Sequence, residues 1–134
     1  MSIVYALEPD LSAQEFRAVL IASTLAERRP ADDLDRLRDM LRHADIVVTA
    51  RDIGRLVGIS RAITNFSYCC YLSDLAVDVA YQRRGIGKRL IEETRARAGE
   101  RATLVLIAAP AAETYYPRIG MQPVKSCWAI QRTR

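Results

Sequence analysis

The chain has 134 residues, half of them hydrophobic and 27% charged, so residues 1–134 are read as one globular domain able to bury roughly two-thirds of its unfolded surface. Its net charge of +4 comes from 18 arginines and two lysines scattered along the sequence, with no nucleic-acid-binding motif among them, and no nucleic-acid partner is expected. Three cysteines without a C-x-x-C pair and a single histidine, His43, do not make a zinc site, and no span is long and apolar enough for a membrane helix; a cytoplasmic protein with reduced thiols, no signal peptide, no metal and no membrane contact is expected.

In chain order, Ile3 to Leu7 reads as a short strand. Ser12 with Glu15 three residues later is a capping box that opens a helix bearing Phe16, Val19 and Leu20 on one face. Asp32 and Asp33 start a second helix, whose stripe is Leu34, Leu37 and Leu41 and whose basic end is Arg38, Arg42 and His43. A meander of strands follows: Ile46 to Arg51, a turn at Asp52-Ile53-Gly54, Leu56 to Ile63, a turn at 64–67, and the long strand Tyr68 to Val77. Ile86, Leu90, Ile91, Thr94 and Ala98 then mark a helix that Gly99 stops. Thr103 to Ala108 is a continuous apolar run, expected to be a central strand buried on both faces and parallel to its predecessor. A short helix at Ala111 to Ile119, the segment Met121 to Lys125 and a closing strand at Cys127 to Arg132 complete the reading.

The chemistry concentrates in Leu72–Leu90, where an apolar strand turns through Gln82-Arg83-Arg84-Gly85-Ile86-Gly87 into a helix. The first N–H groups of a helix lack intrahelical partners and carry partial positive charge, so an anion docks there. Gly85 and Gly87 let the backbone approach a diphosphate closely, and Arg83, Arg84 and Lys88 add charge around it. A dinucleotide fingerprint would need glycine where Leu90 stands; a mononucleotide P-loop would need glycine at Gln82 and a hydroxyl at Arg89. What fits is Gln/Arg-x-x-Gly-x-Gly/Ala after the strand Leu75-Ala76-Val77, with Tyr115-Tyr116-Pro117-Arg118-Ile119-Gly120-Met121 later in the chain. On those residues the sequence resembles the GNAT superfamily of acetyl-CoA-dependent N-acetyltransferases, clearly from Tyr68 onward and in element order before it.

The resemblance implies an α/β (α+β) fold: a mixed, twisted sheet of about six or seven strands, splayed at its centre, with about four helices on its two faces. It implies acetyl-CoA as cosubstrate, held by Leu75, Ala76 and Val77 along the pantetheine arm and by Arg83, Arg84, Gly85, Ile86, Gly87 and Lys88 around the diphosphate. Tyr116 aligns with the family's general-acid tyrosine, since a phenol stays protonated at neutral pH and can protonate the leaving thiolate. Tyr115, about 100° around the helix, is expected to pack in the core. Asp74 is the candidate base by position, sharing a face with Leu72 and Ala76, and Asp78 a structural residue ending the strand. Two departures stand out: Met121 replaces the usual aromatic, and Pro110-Ala111-Ala112 stands where an asparagine often contacts the cofactor.

The implied reaction is direct acetyl transfer to a primary amine, on a small molecule or a peptide, with no covalent enzyme intermediate. A non-catalytic acyl-CoA-binding or sensing module is the alternative, and would keep the glycine loop without needing Tyr116. The acceptor is not written in any residue pattern, and a homodimer is compatible with the chain without being required by it.

Overall fold

The computed structural model describes residues 2–134. Among them are five strands, β1 (Ile3–Leu7), β2 (Ile46–Asp52), β3 (Arg55–Thr64), β4 (Cys69–Val77) and β5 (Thr103–Val105), and four α-helices, α1 (Ala13–Ala22), α2 (Leu34–Arg42), α3 (Ile86–Ala98) and α4 (Tyr115–Arg118). They form one sheet in the order β1-β2-β3-β4-β5, antiparallel through β4 and parallel between β4 and β5. Local chemistry sets the breaks. Ser12 Oγ accepts the Glu15 N–H at 3.1 Å to start α1, and Asp33 Oδ1 accepts the Arg36 N–H at 3.1 Å to start α2. The two-residue turn between β2 and β3 puts Ile53 at φ 46° and Gly54 at φ 82°, the left-handed pair that a tight hairpin needs.

Helices cover both faces. On one, Phe16, Val19 and Leu20 of α1 and Leu37 and Leu41 of α2 pack on Val47, Ile59 and Ala76. On the other, Ile86, Leu90, Ile91 and Ala98 of α3 pack on Ile46, Val48, Ala50, Val57, Cys70 and Leu72. Each fully buried Leu or Phe in these layers stabilises the fold by about 1.5–3 kcal/mol. α3 lies close against the sheet at Gly58, where a Cβ would stand 3.1 Å from Leu90 Cδ1.

β4 carries one residue too many for its partner. Arg61 of β3 faces Asp74 and Ala62 faces Leu72, so Ser73 has no opposite number and forms a bulge. The bulge reverses which residues look which way. Below it Cys70 and Leu72 face α3; above it Leu75 and Val77 pack toward α3, while Ala76 joins the α1–α2 layer. Asp74 therefore shares a face with Ala76 but not with Leu72, contrary to strict alternation.

Four expectations are corrected. The sheet has five strands, not six or seven. The run Thr103 to Ala108 is not a doubly buried central strand: only Thr103–Val105 pairs, at the sheet's edge, where Leu104 and Leu106 face the core and Val105 and Ile107 are 42% and 59% exposed. An apolar run alone does not separate a doubly covered strand from one covered on a single face. The closing strand expected at Cys127 to Arg132 does not form; Trp128 and Ile130 are exposed, and among the described residues no ladder runs along the outer edge of β5. The helix expected over Ala111 to Ile119 shrinks to a 3-10 turn at Pro110–Ala112 and the single turn of α4, since Pro117 has no N–H to continue a longer ladder.

Three cysteines are free thiols, Cys70 buried and Cys69 and Cys127 exposed, and no helix is long and apolar enough to cross a membrane among the described residues.

Candidate active site

The site grows from the end of β4. Pairing with β5 runs from Cys69↔Thr103 to Tyr71↔Val105 and stops there, whereas pairing with β3 continues to Val77↔Gly58. From Leu72 to Val77, then, β4 has a strand on one side and, among the described residues, no ladder on the other. An extended group laid along this edge meets backbone donors and acceptors, as in strand addition.

The chain then makes a 3-10 turn at Val79–Tyr81 and enters α3. Asp78 holds the turn: its carboxylate accepts the Ala80 N–H at 2.9 Å and a bond from Arg55 at 3.1 Å. Gln82 Nε2 donates to the Val77 carbonyl at 3.0 Å. Tyr81, which the sequence did not single out, ties the loop to β2 by donating to Asp52 Oδ2 at 2.7 Å, with the Arg84 guanidinium 5.2 Å above its ring. That bond raises the Tyr81 phenol and lowers the Asp52 carboxyl from their ordinary values.

Arg83 at φ 65° and Gly85 at φ 80° bend the loop through the left-handed region twice. The first intrahelical bond of α3 is Arg89 N–H to the Gly85 carbonyl, at 3.0 Å, which leaves the amides of Ile86, Gly87 and Lys88 without helical acceptors. Ile86 is buried and anchors the turn, while Arg83, Arg84 and Lys88 are exposed around it. Loop, bare amides and cations fit a diphosphate.

Tyr115 reaches this place. The expectation of a core tyrosine is corrected: the ring is half-buried, and its hydroxyl lies 2.8 Å from where a Cβ on Gly87 would stand. Burial raises its pKa, and the Lys88 backbone N–H opposes the rise. Tyr116 packs edge-on against Tyr115, ring centres 5.2 Å apart, and leans on the α3-side core. Burial and then Tyr115 push its phenol above 10.0, with Arg29 acting the other way.

Asp74 stands on the other side of β4. Its side chain is fully buried, and both oxygens are taken: Oδ1 accepts from Arg29 Nε at 2.5 Å and Oδ2 from Arg61 Nε. Arg61 also donates to Ser73 Oγ at 2.9 Å and to the Met40 carbonyl of α2 at 3.1 Å. Arg29 donates in addition to the Ser73 carbonyl at 2.7 Å and to its neighbour's carbonyl, Arg28 O, at 2.8 Å. So enclosed, Asp74 has no oxygen open to an incoming amine. Arg29, in the segment joining α1 to α2, escaped the sequence reading because its partner lies 45 residues away.

Fold and site together define a mixed α/β domain in which β4 outruns its parallel neighbour and leads through a glycine loop to helix-start amides without helical acceptors. The chain belongs to the GNAT acetyltransferase family: the acetyltransferase (GNAT) domain model matches residues 8–127. Its structure is similar to that of a protein of unknown function from meticillin-resistant Staphylococcus aureus (20% identity, TM-score 0.80, 99% of each chain). It is also similar to a ribosomal-protein-alanine N-acetyltransferase from Brucella melitensis biovar Abortus (22%, TM-score 0.72, 98% of this chain and all of that one). A third likeness is to an aminoglycoside N-acetyltransferase, AAC(6')-Iy, in complex with CoA (16%, TM-score 0.73, 99% of this chain and 96% of that one). At such identities the likeness establishes the fold. No curated protein matches the chain.

Proposed function

We propose that this chain transfers the acetyl group of acetyl-CoA directly to a primary amine. The observation that carries the reading is the open edge of β4, Leu72 to Val77, followed after the turn at Val79–Tyr81 by the amides of Ile86, Gly87 and Lys88, which have no helical acceptors. The acyl-CoA thioester supplies an activated acyl group and a thiolate leaving group. The backbone of Leu75, Ala76 and Val77 lines the edge that would hold the pantetheine arm, their side chains remaining in the core. The amides of Gly85, Ile86, Gly87 and Lys88, flanked by Arg83 and Arg84, would hold the diphosphate. A backbone N–H of β4 aimed at the developing oxyanion lowers the barrier by about 3 kcal/mol.

Tyr116 is the proton donor in this reading. Its phenol is protonated at neutral pH and the more so for being buried, so a proton is available when the thiolate departs. Asp74 is a positioning residue: clamped by two guanidiniums, it fixes Arg29 and Arg61 on the α1–α2 side of β4, and the amine proton passes to solvent. The aminoglycoside and ribosomal-protein acetyltransferases of the same fold act on amines, which supports this acceptor class. The test is thiol release from acetyl-CoA over grouped amine acceptors, alongside calorimetric titration with acetyl-CoA. Binding with no release on any amine returns the chain to the acyl-CoA-binding reading; no binding removes both.

A further inference from the structure

The three charges around Asp74 do not cancel. Two guanidiniums, Arg29 and Arg61, share one carboxylate, so the cluster carries one excess positive charge. Asp74 and Arg61 are enclosed, at 0% and 5% side-chain exposure; Arg29, at 22%, is where that charge meets solvent. Nor is it a loose surface arginine. One bond from each of its three nitrogens pins the guanidinium to Asp74, Arg28 O and Ser73 O. A guanidinium has five N–H donors, so two remain, one on each terminal nitrogen, held in a fixed plane.

Its place matters as much as its charge. Arg29 is bound to the bulge at Ser73 and Asp74, next to the point where β4 loses β5 as a neighbour, and it comes from the α1–α2 connection that walls the same face. It is also near enough to Tyr116 to affect that phenol. A pinned guanidinium with surplus positive charge, bonded to β4 at Ser73 and Asp74 just past its last pairing with β5, suits a carboxylate and repels a polycation.

We propose that Arg29 anchors the acceptor, and that the acceptor is an amine carrying a carboxylate a few bonds from the nitrogen, rather than a neutral amine or a polyamine. This rests on the reading of the β4 edge as the acyl-donor channel. Arg29 is a specificity residue here, gripping the part of the acceptor that does not react.

The experiment uses the full chain, acetyl-CoA and sets of matched amines: amino acids, the same compounds as carboxamides, as decarboxylated amines and as aminophosphonates, with spermidine as the polycation. Thiol release gives kcat/KM for each. The carboxylate member of each set is expected to exceed its amide and its decarboxylated form by about tenfold or more, mainly through KM, with spermidine poorest. Arg29→Gln is expected to shrink that ratio toward one, whatever its overall rate; if the variant does not fold, the wild-type ratio decides. Acetyl-CoA binding with turnover of amides or polyamines as good as that of amino acids overturns the inference and leaves the transferase reading standing. A preference for phosphonates overturns the carboxylate assignment. Failure to bind acetyl-CoA, or binding without turnover of any amine, removes the transferase reading and this inference together.

Discussion

The Tyr115 hydroxyl stands 2.8 Å from the Cβ position of Gly87, with the Lys88 backbone N–H turned toward it. α4 thus reaches across to the first turn of α3, at the spot proposed for a diphosphate, where the phenol competes with an anion for the Lys88 amide. Tyr115→Phe is therefore expected to tighten coenzyme A binding by about two- to tenfold, the value of one ordinary hydrogen bond. Calorimetry on both proteins checks this. Weaker binding by the variant would mean that the hydroxyl serves the ligand instead of competing with it.

Tyr116→Phe is expected to lower kcat about a hundredfold or more while leaving KM for acetyl-CoA within a few-fold, since the hydroxyl acts on the leaving group and not on the resting complex. Because burial raises this phenol above 10.0, the wild-type rate should not fall for want of its proton until the pH passes that value. Steady-state rates from neutral to alkaline pH measure both effects. Equal turnover in the variant would take Tyr116 out of the mechanism.

Asp74→Asn separates a buried clamp from a base. Removing the carboxylate's charge leaves Arg29 and Arg61 facing one another with no counter-ion, at a cost of about 3–5 kcal/mol of stability. Denaturant unfolding should show that loss directly. A variant as stable as wild type but slow in catalysis would restore the base assignment.

Acid should act through Glu8. Its carboxylate accepts from Arg51 Nε at 2.7 Å and Nη2 at 2.8 Å, and these bonds hold its pKa below the ordinary 4.5. A folded-state pKa below the unfolded one contributes stability that is complete above the unfolded value and lost as pH falls through the folded one. Thermal melts should therefore show a drop in Tm as pH falls below 4.5 that is larger in wild type than in Glu8→Gln. Identical acid sensitivity in the two proteins would assign it to other carboxylates.

The legible parts of the fold were those with local causes. Ser12 and Asp33 announced their helices because a cap needs only three residues, and the glycine loop announced α3 because bare amides and small residues must be adjacent. What stayed hidden depends on distant neighbours. Tyr81 needs Asp52 to tie the loop, Arg29 needs Asp74, and the length of β5 depends on whether another strand comes to lie beside it. Asp74 was visible as a carboxylate at the right height on β4, but its two guanidiniums, which decide its chemistry, lie 13 and 45 residues back.

The extra residue in β4 splices two half-strands out of phase. Were the bulge flattened and Ser73 taken into regular alternation, the upper half would turn over: Asp74 and Ala76 would point under α3, a charge driven into a hydrocarbon layer, and Leu75 and Val77 would turn toward Arg29 and Arg61. One serine held out of the ladder is the offset that lets a single strand send Leu72, Leu75 and Val77 to one helix layer and Asp74 to the other, and pressing it into the ladder would undo both faces at once.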